Sequence, residues 1–158
     1  MENRFTNDPC GCWGKASEEA LKEVLGLVVK VARPGRTDLR KANVCYEVKT
    51  GAGELGDLGG KLIKGSSMVI YIPVVDEEKA ICEQEGFVMS REVFLDIMNA
   101  CGLIREKTST AGVRKVTIQT FYNRKQKKPH GRGLARMLEA FYNSDEVTAL
   151  DVWLEGML

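Results

Sequence analysis

The sequence predicts an α/β fold, a small mixed sheet of about five strands with helices packed around it, in one domain over residues 1–158. Three observations predict it. Residues 44–50 and 67–75 are apolar in alternating or continuous runs, the pattern of strands. Residues 17–31 and 90–101 carry apolar side chains three and four apart, the pattern of helices packed on a sheet. Gly and Pro mark the junctions, and neither an internal repeat nor a linker divides the chain.

Composition narrows the setting. The chain has 158 residues, enough for a single core, and its 23 Lys and Arg nearly balance 22 Asp and Glu. Its apolar runs are too short to span a membrane, so no membrane partner is expected. Met1 to Pro9 lacks an apolar signal core, which predicts an intracellular, cytoplasmic protein. Five cysteines, an odd number, fit reduced thiols better than a disulfide framework. Cys10 and Cys12 form one close pair without a second, and His130 is the single histidine, so no structural zinc is expected. Cys45, Cys82 and Cys101 sit in apolar surroundings and read as small core residues.

In chain order, residues 1–13 read as an irregular arm ending at Trp13. Ser17 is placed to cap a helix, with Glu18 and Glu19 in its first turn. Leu21, Val24, Leu25, Val28 and Val31 form the apolar stripe, and Glu18 lies on its flank, facing inward more than Glu19. Pro34-Gly35 ends the helical region. Two short strands joined by a tight turn follow. Asp38 is on the first, and Glu47 and Lys49 are on the second. Alternation puts Val44, Tyr46 and Val48 on a core face and Cys45, Glu47 and Lys49 on the other, with Asp38 opposite them. Two carboxylates within reach of each other suit a hard divalent cation. An adjacent lysine can orient or deprotonate a water, or steady a phosphate.

This arrangement, Thr37-Asp38 and then Glu47-Val48-Lys49, resembles the PD-(D/E)xK nuclease superfamily. Gly14-Lys-Ala-Ser-Glu18 resembles the helix motif of its Holliday-junction resolvases, and the likeness covers roughly residues 14–75. Proline does not precede Asp38, a departure from the motif. A second Glu-x-Lys, Glu77-Glu78-Lys79, stands in a polar stretch without that context. The resemblance implies a restriction-endonuclease-like core. It implies catalytic roles for Asp38, Glu47, Lys49 and Glu18, with Mg2+ or Mn2+ held by Asp38, Glu47 and the Val48 carbonyl. DNA is the implied partner, and a homodimer is motivated by the resolvases. The plain alternative for the strand is a solvent-facing cross-strand Glu–Lys pair.

Gly51-Ala-Gly-Glu-Leu-Gly56 also spells a dinucleotide fingerprint, with Asp76 downstream. The glycine-rich Asp57-Leu-Gly-Gly60 that follows is a poor helix start, and a loop beside the metal site is the better reading. Residues 67–75 should lie in the sheet centre, limited by Pro73. Asp76–Gln84 reads as a charged loop or short helix, and Phe87–Met89 as a brief strand. Ser90 caps a helix to Cys101 with Val93, Phe94, Ile97 and Met98 inward, and Gly102 stops it.

From Lys107 to Leu138 there are nine Lys and Arg and no acid, and from Glu139 onward five acids and no base. Arg114 and Lys115, just before a strand (116–121), and Arg124, Lys125, Lys127, Lys128 and Arg132, in a basic loop (122–133), are the candidate nucleic-acid contacts. Residues 134–141 and 147–158 read as helices, with Leu138, Phe141 and Tyr142 in the core. The apolar end with Val152, Trp153, Leu154, Met157 and Leu158 is a candidate dimer contact. The expected function is a divalent-metal-dependent DNA endonuclease. A non-catalytic nucleic-acid-binding protein on the same fold, a nucleotide-binding protein using Gly51–Gly56, and a structural phage or mobile-element protein are the alternatives.

Overall fold

A computed structural model describes residues 13–26, 28–29, 39–42, 44–50, 54–55, 68–76, 78–102, 104–108, 114–119, 122–123, 128–129 and 131–158. Its centre is a six-stranded mixed sheet in the order β1 (Val28–Val29), β2 (Leu39–Lys41), β3 (Val44–Thr50), β5 (Met68–Ile72), β6 (Phe87–Ser90), β11 (Thr148–Ala149). All neighbours are antiparallel except β3 and β5, which run parallel. A second sheet places β4 (Glu54–Leu55) beside β8 (Arg114–Gln119) and β7 (Ile104–Thr108). β9 (Tyr122–Asn123) and β10 (Lys128–Pro129) form a small hairpin.

Helices cover both faces of the central sheet, giving three layers. On one face, Ala20 and Leu21 of α1 (Trp13–Leu25) and Leu150 and Leu154 of α4 (Leu150–Met157) pack on Leu39, Tyr46, Val48, Ile70 and Ile72. On the other, Phe94 and Met98 of α2 (Arg91–Ala100) and Met137 and Phe141 of α3 (Gly131–Asn143) pack on Val69, Tyr71, Phe87 and Met89. Each buried Leu, Ile, Val, Met or Phe side chain among these contributes about 1.5–3 kcal/mol relative to exposure. β5 is buried from Val69 to Ile72 because helices cover it on both sides, and its unbroken apolar run is the sequence record of that.

Local chemistry sets the boundaries. Ser90 Oγ accepts from the Val93 N–H at 3.2 Å and caps α2, which ends where Gly102 takes a φ of +71°. α1 stops at Gly26, whose φ is +63° and whose N–H reaches the Lys22 carbonyl at 2.7 Å. Here the structure corrects the sequence. Ser17 is buried inside α1, which begins at Trp13, so it is no N-cap. Val28 pairs with Arg40 in an edge strand, because Gly26 turns the chain out of the helix and β-branched residues suit the sheet edge. Val31, Pro34 and Gly35 lie outside the described residues.

The 76–84 loop is a 3-10 turn (Ile81–Glu83) fastened by Gln84, which is 4 % exposed. The Gln84 amide donates to the carbonyls of Asp76 (2.7 Å) and Lys79 (3.0 Å), and its carbonyl accepts from the Asp76 N–H (2.9 Å). Gly86 lets α4 come close: its carbonyl accepts from the Leu150 N–H at 2.8 Å, and a Cβ there would stand 2.7 Å from Leu150 Cδ2.

Three further expectations change. Tyr142 is 58 % exposed rather than core, since its ring stands edge-on against Phe87 while its hydroxyl end reaches Glu85. Cys82 is exposed on the 3-10 turn, whereas Cys45 and Cys101 are half-buried as free thiols. Leu154 is buried in the chain's own core and Trp153 rests against Tyr46 at 5.4 Å, so only Val152 and Leu158 of the apolar end are widely exposed.

Candidate functional site

β3 carries the site because Val-Cys-Tyr-Glu-Val-Lys-Thr is rich in residues that favour a pleated strand, and both its neighbours pair with it. Where β2 gives way to β3, Lys41 stands opposite Val44 and Ala42 is a turn residue. Ala42 takes a φ of 52° there, and the Arg40 Nε donates to its carbonyl at 3.1 Å. The ladder described between these strands runs from this turn to Leu39 opposite Tyr46. Asp38 is the residue before Leu39 in sequence and lies outside the described residues.

On the β5 side, Glu47 is level with Val69, Val48 with Ile70 and Lys49 with Tyr71. Paired positions share a face. Glu47 and Lys49 therefore project to the side covered by α2 and α3, and Val48 to the side covered by α1 and α4. The expected face with a carboxylate and an amine side by side is present. It is not a solvent face: Glu47 is 1 % exposed and Lys49 17 %. The reason is that β3 is an interior strand with a helical layer on each side. The Lys49 Nζ lies 3.3 Å from Glu47 Oε1, an ion pair largely removed from water.

The floor beside this pair is aromatic. Tyr71 is fully buried between Phe94 and Phe141, at ring distances of 5.5 and 5.9 Å. Burial pushes its phenol well above the ordinary tyrosine range, so it stays neutral. Burial likewise raises the Tyr46 phenol on the opposite face.

Glu18 is half-buried in the second turn of α1. That helix packs on the Tyr46 and Val48 face, so Glu18 belongs to the layer opposite the one that covers Glu47 and Lys49. For a hard cation, Glu47 supplies a carboxylate and Val48 a backbone carbonyl, both oxygen donors of the right class. Among the described residues no group of three or more His, Cys, Asp or Glu gathers at one place; Asp38 is outside that set.

Of the candidate nucleic-acid contacts, Arg114 and Lys115 lie on β8, Lys128 on β10 and Arg132 in the first turn of α3. Arg124, Lys125 and Lys127 lie outside the described residues. Inside the glycine fingerprint, Glu54 and Leu55 form β4, paired with Gln119 and Ile118. A strand thus stands in the stretch that a dinucleotide fold uses to turn into its helix.

Sequence reasoning missed a cleft of about 350 Å³ at the far edge of the sheet, lined by Glu83, Glu85, Tyr142 and Asp151 among others. Its lining runs from Lys79 to Asp151, 72 residues apart in the chain, and no local pattern joins them. No helix among the described residues is long and apolar enough to cross a membrane. No protein-family model matches this chain, and no curated protein matches it.

Proposed function

We propose that this chain is a divalent-metal-dependent DNA endonuclease of the PD-(D/E)xK type. One observation carries the reading: Glu47, buried on an interior strand, is paired at 3.3 Å with Lys49, and Leu39, next to Asp38 in sequence, lies on the antiparallel neighbour strand. An antiparallel run β1–β2–β3 followed by the parallel β5, with helices on both faces, supports a restriction-endonuclease-like core.

Asp38, Glu47 and the Val48 carbonyl would hold Mg2+ or Mn2+. When bound, such a cation polarises a phosphodiester and stabilises charge on the leaving oxygen. Lys49 does the chain's own part. Its ammonium, held by Glu47, is a donor for a phosphate oxygen, and on losing a proton the amine orients or deprotonates the attacking water. The buried Glu47 and Tyr71 floor keeps bulk water from one side of that amine. Glu18 acts only if it reaches past the strand ends from its own layer. The cations on β8, β10 and the start of α3 neutralise backbone phosphates. The protein is expected in the cytoplasm, where a homodimer would engage two strands.

The test is cleavage of supercoiled, single-stranded and four-way-junction DNA with Mg2+ or Mn2+. Cutting by the wild type that is lost in Asp38→Ala and Lys49→Ala supports the reading. Absence of cutting, with salt-sensitive binding that survives both changes, replaces it with a non-catalytic DNA-binding protein. That second reading is favoured by one observation, the placement of Glu18 in the layer opposite Glu47.

A further inference from the structure

The Glu47–Lys49 pair stands on one face of β3, and alternation carries that face along the strand to Cys45. Cys45 is level with Arg40 of β2, so Arg40 projects to the same side. Exposure on this face rises away from the pair: Glu47 is buried, Cys45 is half-buried and Arg40 is exposed. The helical cover explains the gradient. The buried sheet residues that meet α2 and α3 are Val69, Tyr71, Phe87 and Met89, on β5 and β6, whereas β2 lies beyond β3 towards the sheet edge.

Arg40 is held at this open end by its own turn. Its Nε donates to the Ala42 carbonyl at 3.1 Å, and Ala42, with a φ of 52°, is the turn residue that follows β2. That bond uses a single guanidinium N–H and leaves those of the two Nη atoms. Among the described residues no carboxylate pairs with Arg40. A phosphate matches the remaining fork bidentately. The bond to Ala42 fixes the side chain beforehand, which lowers the ordering cost of binding.

We propose that Arg40 binds a backbone phosphate of the DNA strand that enters the Glu47–Lys49 site. The ligand rests on the endonuclease reading above. Cys45, level with Arg40, is two residues from Glu47, about 7 Å along β3, so the guanidinium meets a phosphate beside the one at Lys49. Arg40 stands outside the basic stretch from Lys107 to Leu138, and its contact is additional to any made there.

Fluorescence anisotropy with a short labelled DNA duplex tests this, in EDTA so that no cutting intervenes, between about 50 and about 200 mM salt. The proteins are wild type, Arg40→Gln, Arg40→Lys and Lys79→Gln, each checked for fold by circular dichroism. Lys79 is exposed at the far edge of the sheet, so Lys79→Gln removes the same charge away from the site. Arg40→Gln should bind about tenfold more weakly, and its plot of log affinity against log salt should be less steep by about 0.9, the share of one phosphate. Arg40→Lys keeps the charge without the fork, so it should keep the slope and bind about threefold more weakly. Lys79→Gln should match the wild type. A folded Arg40→Gln with the wild-type slope overturns the proposal, as does a Lys79→Gln slope that falls equally. If Arg40→Gln loses its fold, Arg40→Lys decides, and wild-type affinity in that variant overturns the proposal. Cutting by the same preparations with Mn2+ separates this contact from the endonuclease reading. A wild type that cuts, with an unchanged slope in Arg40→Gln, removes the contact and leaves the endonuclease. A wild type that binds without cutting, with the slope reduced in Arg40→Gln, leaves the contact and removes the endonuclease. A wild type that binds no DNA overturns both.

Discussion

Removing the Lys49 ammonium while keeping its stem, as Lys49→Met, probes the centre of the site. Two unit charges 3.3 Å apart attract by about 5 kcal/mol at an effective dielectric of 20. Desolvation offsets part of this gain for both groups, and Lys49 retains some contact with water. The cost of the substitution at pH 7 should therefore be about 3 kcal/mol, the low end for breaking a buried pair. In a chain of 158 residues that is a fall in Tm of roughly 6–12 °C. Urea unfolding of wild type, Lys49→Met, Glu47→Gln and the double variant gives the coupling, expected at about 2–3 kcal/mol. A coupling under about 0.5 kcal/mol refutes the reasoning.

Further outcomes follow from individual residues. Ala42 holds a φ of 52° in the β2–β3 turn, so Ala42→Gly should raise stability by about 0.5–1 kcal/mol in urea melts, the relief of strain exceeding the entropy of glycine. Gly86→Ala would set a methyl group 2.7 Å from Leu150 Cδ2 and should cost about 1–3 kcal/mol, read as a lower Tm. The Tyr142 phenol is pushed up to about 12, first by partial burial and then by its bond to Glu85 and the charge there. Its stability contribution is full below the ordinary value of about 10 and is lost as pH rises through about 12. Tyrosinate absorbance should show this titration in the wild type, lose it in Tyr142→Phe and move it downward in Glu85→Gln.

How much the sequence disclosed varied with the range of the forces involved. The β5 strand was legible because Val69–Ile72 is buried on both faces and so is apolar without a break. α2 was legible because its cap, Ser90, and its stop, Gly102, act within one turn of the chain. The end of α1 was not, since Val28 continues the apolar spacing of the helix while pairing with a strand. Glu47 and Lys49 were legible as neighbours on one face through alternation alone. Their burial was not, because the α2 and α3 layer that covers that face comes from residues 91–143. Glu18 lay on the flank of the α1 stripe as expected, yet which face of the sheet α1 would cover is a tertiary choice that helical spacing does not encode.

The central claim is tested most directly by the single-turnover rate of Mn2+-dependent DNA cleavage, at saturating protein, for wild type and Lys49→Ala. A positioned proton-transfer group contributes about 100- to 10,000-fold. The wild type should cut, and Lys49→Ala should cut at least about 100-fold more slowly at the same saturating protein. A wild type that binds without cutting, or equal rates in the two proteins, would contradict the account.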